Sequence, residues 1–271
     1  MREVADKRVP TRLWPGPLLA ALTLTPWALL AHGYKFVNDD QILYIPFLNR
    51  LINPALYPVD YFFNQPQAQL SLFEEVWVWP VRALGLDWAM LVGYLLAQVA
   101  SFLALYVLAA RLVSRPAAYL AMVLFVLPVS IGGTFVRTYD NYFNPRTFTL
   151  CLGLLALVAL WDRRSWLASV IVSVHLLLHP LSGIYPWALT VILLAWWRWQ
   201  REIAWRTIAG PLMLLLGTLA VLFVTGRAST DLWLDPAWRG VLWRRTAYVF
   251  LSSWQQDDWL GVIQYLALGF V

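Results

Sequence analysis

Apolar runs recur along this chain, separated by short polar stretches in which arginine is the commonest charge. That rhythm decides the solvent before it decides the fold. The runs fall at residues 14–31, 88–110, 117–131, 148–161, 166–178, 184–197 and 208–225. A helix needs about 20 residues to cross the hydrocarbon of a bilayer. Several runs are shorter, so they must extend into flanking polar residues, thin the bilayer or sit inside a bundle. The expectation is an all-α, polytopic membrane protein with about seven or eight transmembrane helices, forming a single transmembrane domain over 1–271. A last apolar run, 259–271, stops below span length, as in a fragment of a longer protein. Composition agrees: 61% of residues are hydrophobic and 13% charged, whereas soluble domains are about a quarter charged. Seventeen Trp and twelve Tyr suit rings that collect at headgroup level.

The net charge of +5 does not imply nucleic acid. The cations fall in short clusters between apolar runs and form no continuous basic face. The single Cys151 excludes a disulfide within the chain and reads as a buried thiol. The basic start (Arg2, Lys7, Arg8, Arg12) precedes an apolar run with no clean small-x-small cleavage site, so that run reads as a retained first span. Short loops rich in Arg stay cytoplasmic. Placing the N-terminus there puts Arg111, Arg115, Arg163, Arg164, Arg198, Arg201 and Arg206 inside. The expected location is a bacterial inner membrane, with long segments 33–87, 132–147 and 226–258 outside.

Within the first outer segment (34–87), residues 41–52 repeat Ile42, Ile45, Leu48, Leu51 and Ile52 at helical spacing, as in a helix lying in the interface. Asn53-Pro54 breaks it, and 71–84 reads as a second such helix. Ahead of the first stand Asp39 and Asp40. Adjacent carboxylates beside a bilayer suit a general base or a metal ligand, and equally an N-cap for the helix starting at Gln41. The expectation is Asp40 as cap and Asp39 as base. Glu74 and Glu75 diverge by about 100° on a helix, so a hydrated helix start is the simpler reading, with Glu74 as a substrate contact the alternative. In the second outer segment, Arg137 and Arg146 carry the planar fork that grips phosphate, with Asp140 beside them. Tyr142 and Phe143 read as an interfacial aromatic belt. His175 and His179 share one helix face at a metal-ligand spacing, but two ligands do not make a site; His175 reads as a bundle residue, and His179 lies nearer the rim, where it could meet the Asp pair. Walker, dinucleotide-binding and nucleophile-elbow motifs are absent from the sequence.

A cytoplasmic start, one span, an acidic pair at its outer end and a long segment with interfacial helices resemble the C-type (GT-C) integral-membrane glycosyltransferases. The residues carrying the likeness are Asn38-Asp39-Asp40-Gln41, Asn53-Pro54 through Asp60, Phe143-Asn144-Pro145-Arg146 and His179-Pro180-Leu181-Ser182-Gly183. The resemblance implies transfer of a sugar from a polyprenyl-phosphate carrier at the outer face. Asp39 or Asp40 would be base or metal partner, with Asp40 the candidate ligand of a divalent Mg or Mn. Arg137 and Arg146 would clamp phosphate, and His179 would be a second polar group of the site. The sequence is shorter than most members and ends without their soluble C-terminal domain, as expected of a fragment or of a non-catalytic relative. A different class also fits: a transporter, or an accessory subunit held by a membrane-complex partner and by lipids.

Overall fold

The computed structural model describes residues 15–59, 71–127, 139–225, 236–245 and 250–269. The basic start, Asp60 and Arg137 lie outside the described residues. Within them the secondary structure is helical: α1 (Pro15–His32), α2 (Gln41–Ile52), α3 (Phe73–Leu84), α4 (Leu86–Leu112), α5 (Arg115–Phe125), α6 (Pro145–Trp161), α7 (Ser165–Leu178), α8 (Pro180–Trp199), α9 (Trp205–Val224), α10 (Pro236–Arg245) and α11 (Gln256–Gly269). The chain divides into two compact units, one from Met1–Leu124 with Asn141–Ala228, the other from Phe125–Asp140 with Ser229–Val271.

In the first unit α7 packs against α6, α8 and α9, while α6 leans on α4, and α4 on α1 and α3. Short connections from α6 to α9 force neighbours to run antiparallel. Their shared core holds Ala156, Ala159, Ala168, Val172, Leu194, Ile208 and Leu215. Small residues let backbones approach: a Cβ at Gly183 of α8 would stand 2.5 Å from Leu176 Cα of α7. Outward faces are apolar too, with Leu30, Leu96, Ile192, Met213 and Val224 exposed. Water penalises such a surface and hydrocarbon does not. Among the described residues three helices, α4, α8 and α9, are long and apolar enough to cross a membrane, and the chain reads as a helical membrane protein. The other runs expected as spans form α1, α5, α6 and α7, of 18, 11, 17 and 14 residues.

The bundle has two chemically distinct ends. Where α4, α6 and α8 finish, Arg111 pairs with Asp162, the residue closing α6. The α6–α7 turn places Arg163 in the left-handed region (φ 59°), and Arg164 N–H reaches back to Ala159 C=O at 2.8 Å. The α8–α9 turn repeats this with Arg201 (φ 57°) and a Glu202 N–H to Trp197 C=O bond of 2.9 Å. Arg163 bridges the two turns, 2.8 Å from Glu202 and 4.2 Å above the Trp197 ring.

The opposite, acid end carries α2 and α3. Helix α2 has the expected bounds, and α3 begins at Phe73, two residues late. Helix α2 buries Ile45, Phe47 and Leu48 and exposes Ile42 and Leu43, so it is apolar on both sides. Arg82 of α3 donates to Leu51 C=O at 3.2 Å, satisfying a carbonyl at the end of α2. Beneath lies a ring cluster in which Trp77 packs 4.5 Å from Phe143 and 5.5 Å from Phe148. Phe143 is thus core, not belt. The second unit holds α10, a short 3-10 turn at Leu251–Ser253 and α11, whose start is tied by Asp258 accepting from Gln255 N–H at 2.9 Å.

Candidate functional site

Two helices at the acid end begin on the same pattern. In α6, Asn144 caps by accepting Thr147 N–H at 2.7 Å and Pro145 fills the first turn, where its missing N–H costs nothing. In α8, His179 Nδ1 accepts Ser182 N–H at 3.3 Å and Pro180 follows. Helix α2 is tied to the start of α6 by Gln41 Nε2 donating to Phe143 C=O at 2.9 Å. The start of α3 is tied to the end of α7 by Leu72 N–H donating to Leu177 C=O at 2.9 Å. The positive ends of α2, α3, α6 and α8 therefore gather at one end of the bundle, with Arg146 in the first turn of α6. Such an array favours an anion.

The loop leading to α2 carries Val37 and Asp39 in the left-handed region, at φ 56° and 44°. A β-branched residue there costs about 1–3 kcal/mol, strain of the kind that collects at functional sites. Lys35 N–H, donating to Asn141 C=O at 2.8 Å, pins the loop to the segment before α6. The expectation that Asp40 caps α2 is corrected. Its backbone is already helical (φ −61°, ψ −23°) and its side chain makes no capping bond. The side chain that turns back is Gln41, fully buried, whose Oε1 accepts Asn38 N–H at 3.3 Å. Asp40 instead faces Tyr142, whose hydroxyl stands 3.4 Å from Oδ2. Asp39 is exposed, its carboxylate 2.5 Å from Asn38 Nδ2.

Tyr44 shows what surrounds it. Burial pushes its hydroxyl up, Asp40 and Glu74 push it further, and Arg146 opposes them. Asp40, Glu74, Tyr142 and Arg146 thus act on one phenol. Tyr34 nearby is pushed up to about 12, by burial first and also by Asp87, with the Gln41 side chain opposing.

The reading of Glu74 as hydrated is also corrected. Glu74 is 7% exposed and accepts from Ser71 Oγ at 2.7 Å, because the chain ahead of α3 folds over its first turn. Glu74 and Glu75, despite their divergence, both line one cavity of about 240 Å³ with Phe47, Arg50, Leu51, Pro54 and Ser71.

His179 is engaged by Ser182, with Oγ 2.5 Å from Nδ1, and burial, then Arg146 and His175, push it down to about 4. His175 lies buried with Nε2 2.8 Å from the same Ser182 Oγ. Asp40, Glu74, Arg146 and His179 thus belong to the first unit, while Asp140 belongs to the second. The parts that Tyr44, Tyr142, Gln41 and Ser182 play around these residues were not anticipated. Ser182 had a visible signal, three residues after His179 in His-Pro-Leu-Ser, matching Asn-Pro-Arg-Thr at α6.

Among the described residues, no three His, Cys, Asp or Glu side chains cluster to hold a metal ion. The chemistry below uses the chain's own residues. The chain matches no protein-family model, no curated protein and no solved structure.

Proposed function

We propose that the acid end binds a polyprenyl-phosphate-linked sugar and transfers the sugar, with inversion, to a hydroxyl acceptor, as a glycosyltransferase of GT-C type. The observation that supports this reading best is the gathering of Asp40, Glu74, Tyr142 and Arg146 around Tyr44, among four helix N-termini. A phosphate monoester leaving group needs fixed positive charge, which Arg146 and the helix ends supply. The acceptor needs a base, which Asp40 supplies. The acceptor O–H gives its proton to Asp40 as its oxygen bonds the anomeric carbon. The bond from that carbon to the phosphate oxygen breaks, and its electron pair leaves on polyprenyl phosphate. The sugar lies in the cavity between α2 and α3, its hydroxyls on Glu74 and Glu75 and its apolar face on Phe47 and Leu51. With the arginine-rich turns on the cytoplasmic side, all seven expected apolar runs cross the bilayer and the acid end faces outward.

The test uses the full chain in lipid nanodiscs. Wild type binds polyprenyl phosphate and transfers sugar from a polyprenyl-phosphate-linked hexose. Arg146→Lys keeps the charge but loses the fork, and binds polyprenyl phosphate about tenfold more weakly. If wild type neither binds the lipid phosphate nor transfers sugar, the reading is wrong and an accessory subunit takes its place.

A further inference from the structure

The mechanism above leaves three side chains at the α7–α8 junction unused, and their hydrogen bonds have only one consistent direction. Ser182 N–H donates to His179 Nδ1 at 3.3 Å, so that nitrogen carries a lone pair. Ser182 Oγ stands 2.5 Å from the same nitrogen, so the hydroxyl must donate there too. Its proton committed, Oγ can only accept from His175 Nε2 at 2.8 Å, and that nitrogen bears the hydrogen. His175 is 4% exposed, and its Nδ1 has no hydrogen-bond partner among the described residues. That nitrogen faces α6, where a Cβ at Gly153 would lie 3.5 Å away.

We infer that Ser182 and His175 are positioning residues that hold His179 as the neutral Nε2–H tautomer, so that it offers a hydrogen-bond donor, not a cation or a base, to an oxyanion beside Arg146. The identity of that anion, the phosphate of a lipid-linked sugar, rests on the function proposed above; the tautomer does not. Protonating Nδ1 would set an N–H against the Ser182 amide and its hydroxyl, at a helix N-terminus that already disfavours a cation. The charged and titratable groups acting on His179 are Arg146, from α6, and His175, from α7; neither favours its protonation. A neutral imidazole also suits its neighbour, since a second cation beside Arg146 would have to be neutralised whenever the site stood empty. The direction His175 to Ser182 to His179 cannot run as a proton relay outward, because it would leave His175 an anion.

Nitrogen-15 NMR of the full chain in nanodiscs, labelled at histidine and assigned by His175→Gln and His179→Gln, reads the tautomer directly. At pH 7 wild-type His179 shows one neutral Nε2–H form and stays neutral well below pH 6. Ser182→Ala gives a mixture of tautomers and an upward shift in the pH of protonation, and Ser182→Thr, which keeps the hydroxyl, restores the wild-type spectrum. Observing His179 in wild type as a cation or as the Nδ1–H form at pH 7 would overturn the inference. So would a Ser182→Ala spectrum identical to wild type. Titration with polyprenyl phosphate and, separately, inorganic phosphate distinguishes this from the functional reading. A held tautomer with no response to either anion removes the proposed function and leaves the role of Ser182 standing. A response to the lipid phosphate with the wrong tautomer does the reverse.

Discussion

At the arginine end of the first unit, Arg111 meets Asp162, and Arg163 meets Glu202 while lying on Trp197. At the acid end, Asp40 and Glu74 face hydroxyls, from Tyr142 and Ser71. An ion pair cancels a charge and occupies its lone pairs. A hydroxyl takes one lone pair of about four on a carboxylate and leaves the charge in place. Backbone geometry diverges in parallel. The left-handed residues at the arginine end, Arg163 and Arg201, close helices with bonded turns, whereas Val37 and Asp39 occupy that region in the loop before the acids. One end joins helix turns through ion pairs, and the other sets hydroxyls against its carboxylates.

Exchanging a carboxylate for its amide at each end is the strongest test of that contrast. Asp40→Asn keeps the shape but cannot take a proton, and sugar transfer should fall by about a hundredfold or more with the melting temperature unchanged. Asp162→Asn leaves Arg111 facing a neutral group in a half-buried setting. It should cost about 1–3 kcal/mol of stability with transfer retained. Thermal melts and transfer assays on both variants read the outcome, and the contrast collapses if the two effects trade places.

A smaller effect is expected at the joint that carries His179. In Gly183→Ala the new Cβ would lie 2.5 Å from a backbone atom of Leu176, which cannot swing aside. The helices must part, at about 1–3 kcal/mol. A melting temperature equal to wild type would mean that α7 and α8 are not held at this spacing. The smallest effect belongs to Arg163→Ala. With Arg163 and Glu202 each about half exposed (52% and 46%), the pair is worth no more than about 1 kcal/mol and fades in salt. A melting comparison at low and high salt checks it, and a large salt-independent loss would place the weight on Trp197 packing instead.

Much of the scaffold could be read from residue order, because its signals are local. The apolar period over 41–52 and the Asn53-Pro54 break give α2 its bounds, and Asn144-Pro145 opens α6. Span lengths were harder. Helices α5 to α7 are short, and length alone does not tell a bundle-interior helix from a spanning one. The site was legible only in part. Asp40, Arg146 and His179 were picked out by residue type, but their partners come from elsewhere in the chain. Asp40 lost its capping role because Gln41, one residue on, closes the turn with its own side chain. Glu74 is buried because residues 71–72 are anchored on the end of α7, more than a hundred positions away. Tyr142, placed in an aromatic belt by its neighbours, faces Asp40 across a similar distance in sequence.

The matching starts of α6 and α8 separate architecture from chemistry in a way that experiment can use. Both frames need an acceptor at the first position, a proline next and a hydroxyl residue whose N–H closes the turn. Asn144 and His179 are therefore two spellings of one word, and only the second adds an imidazole. Replacing His179 with alanine removes the ring and the helix cap together, so its result would be mute about which mattered. Asparagine at 179 borrows the frame the chain already writes at 144, and isolates what the ring alone contributes.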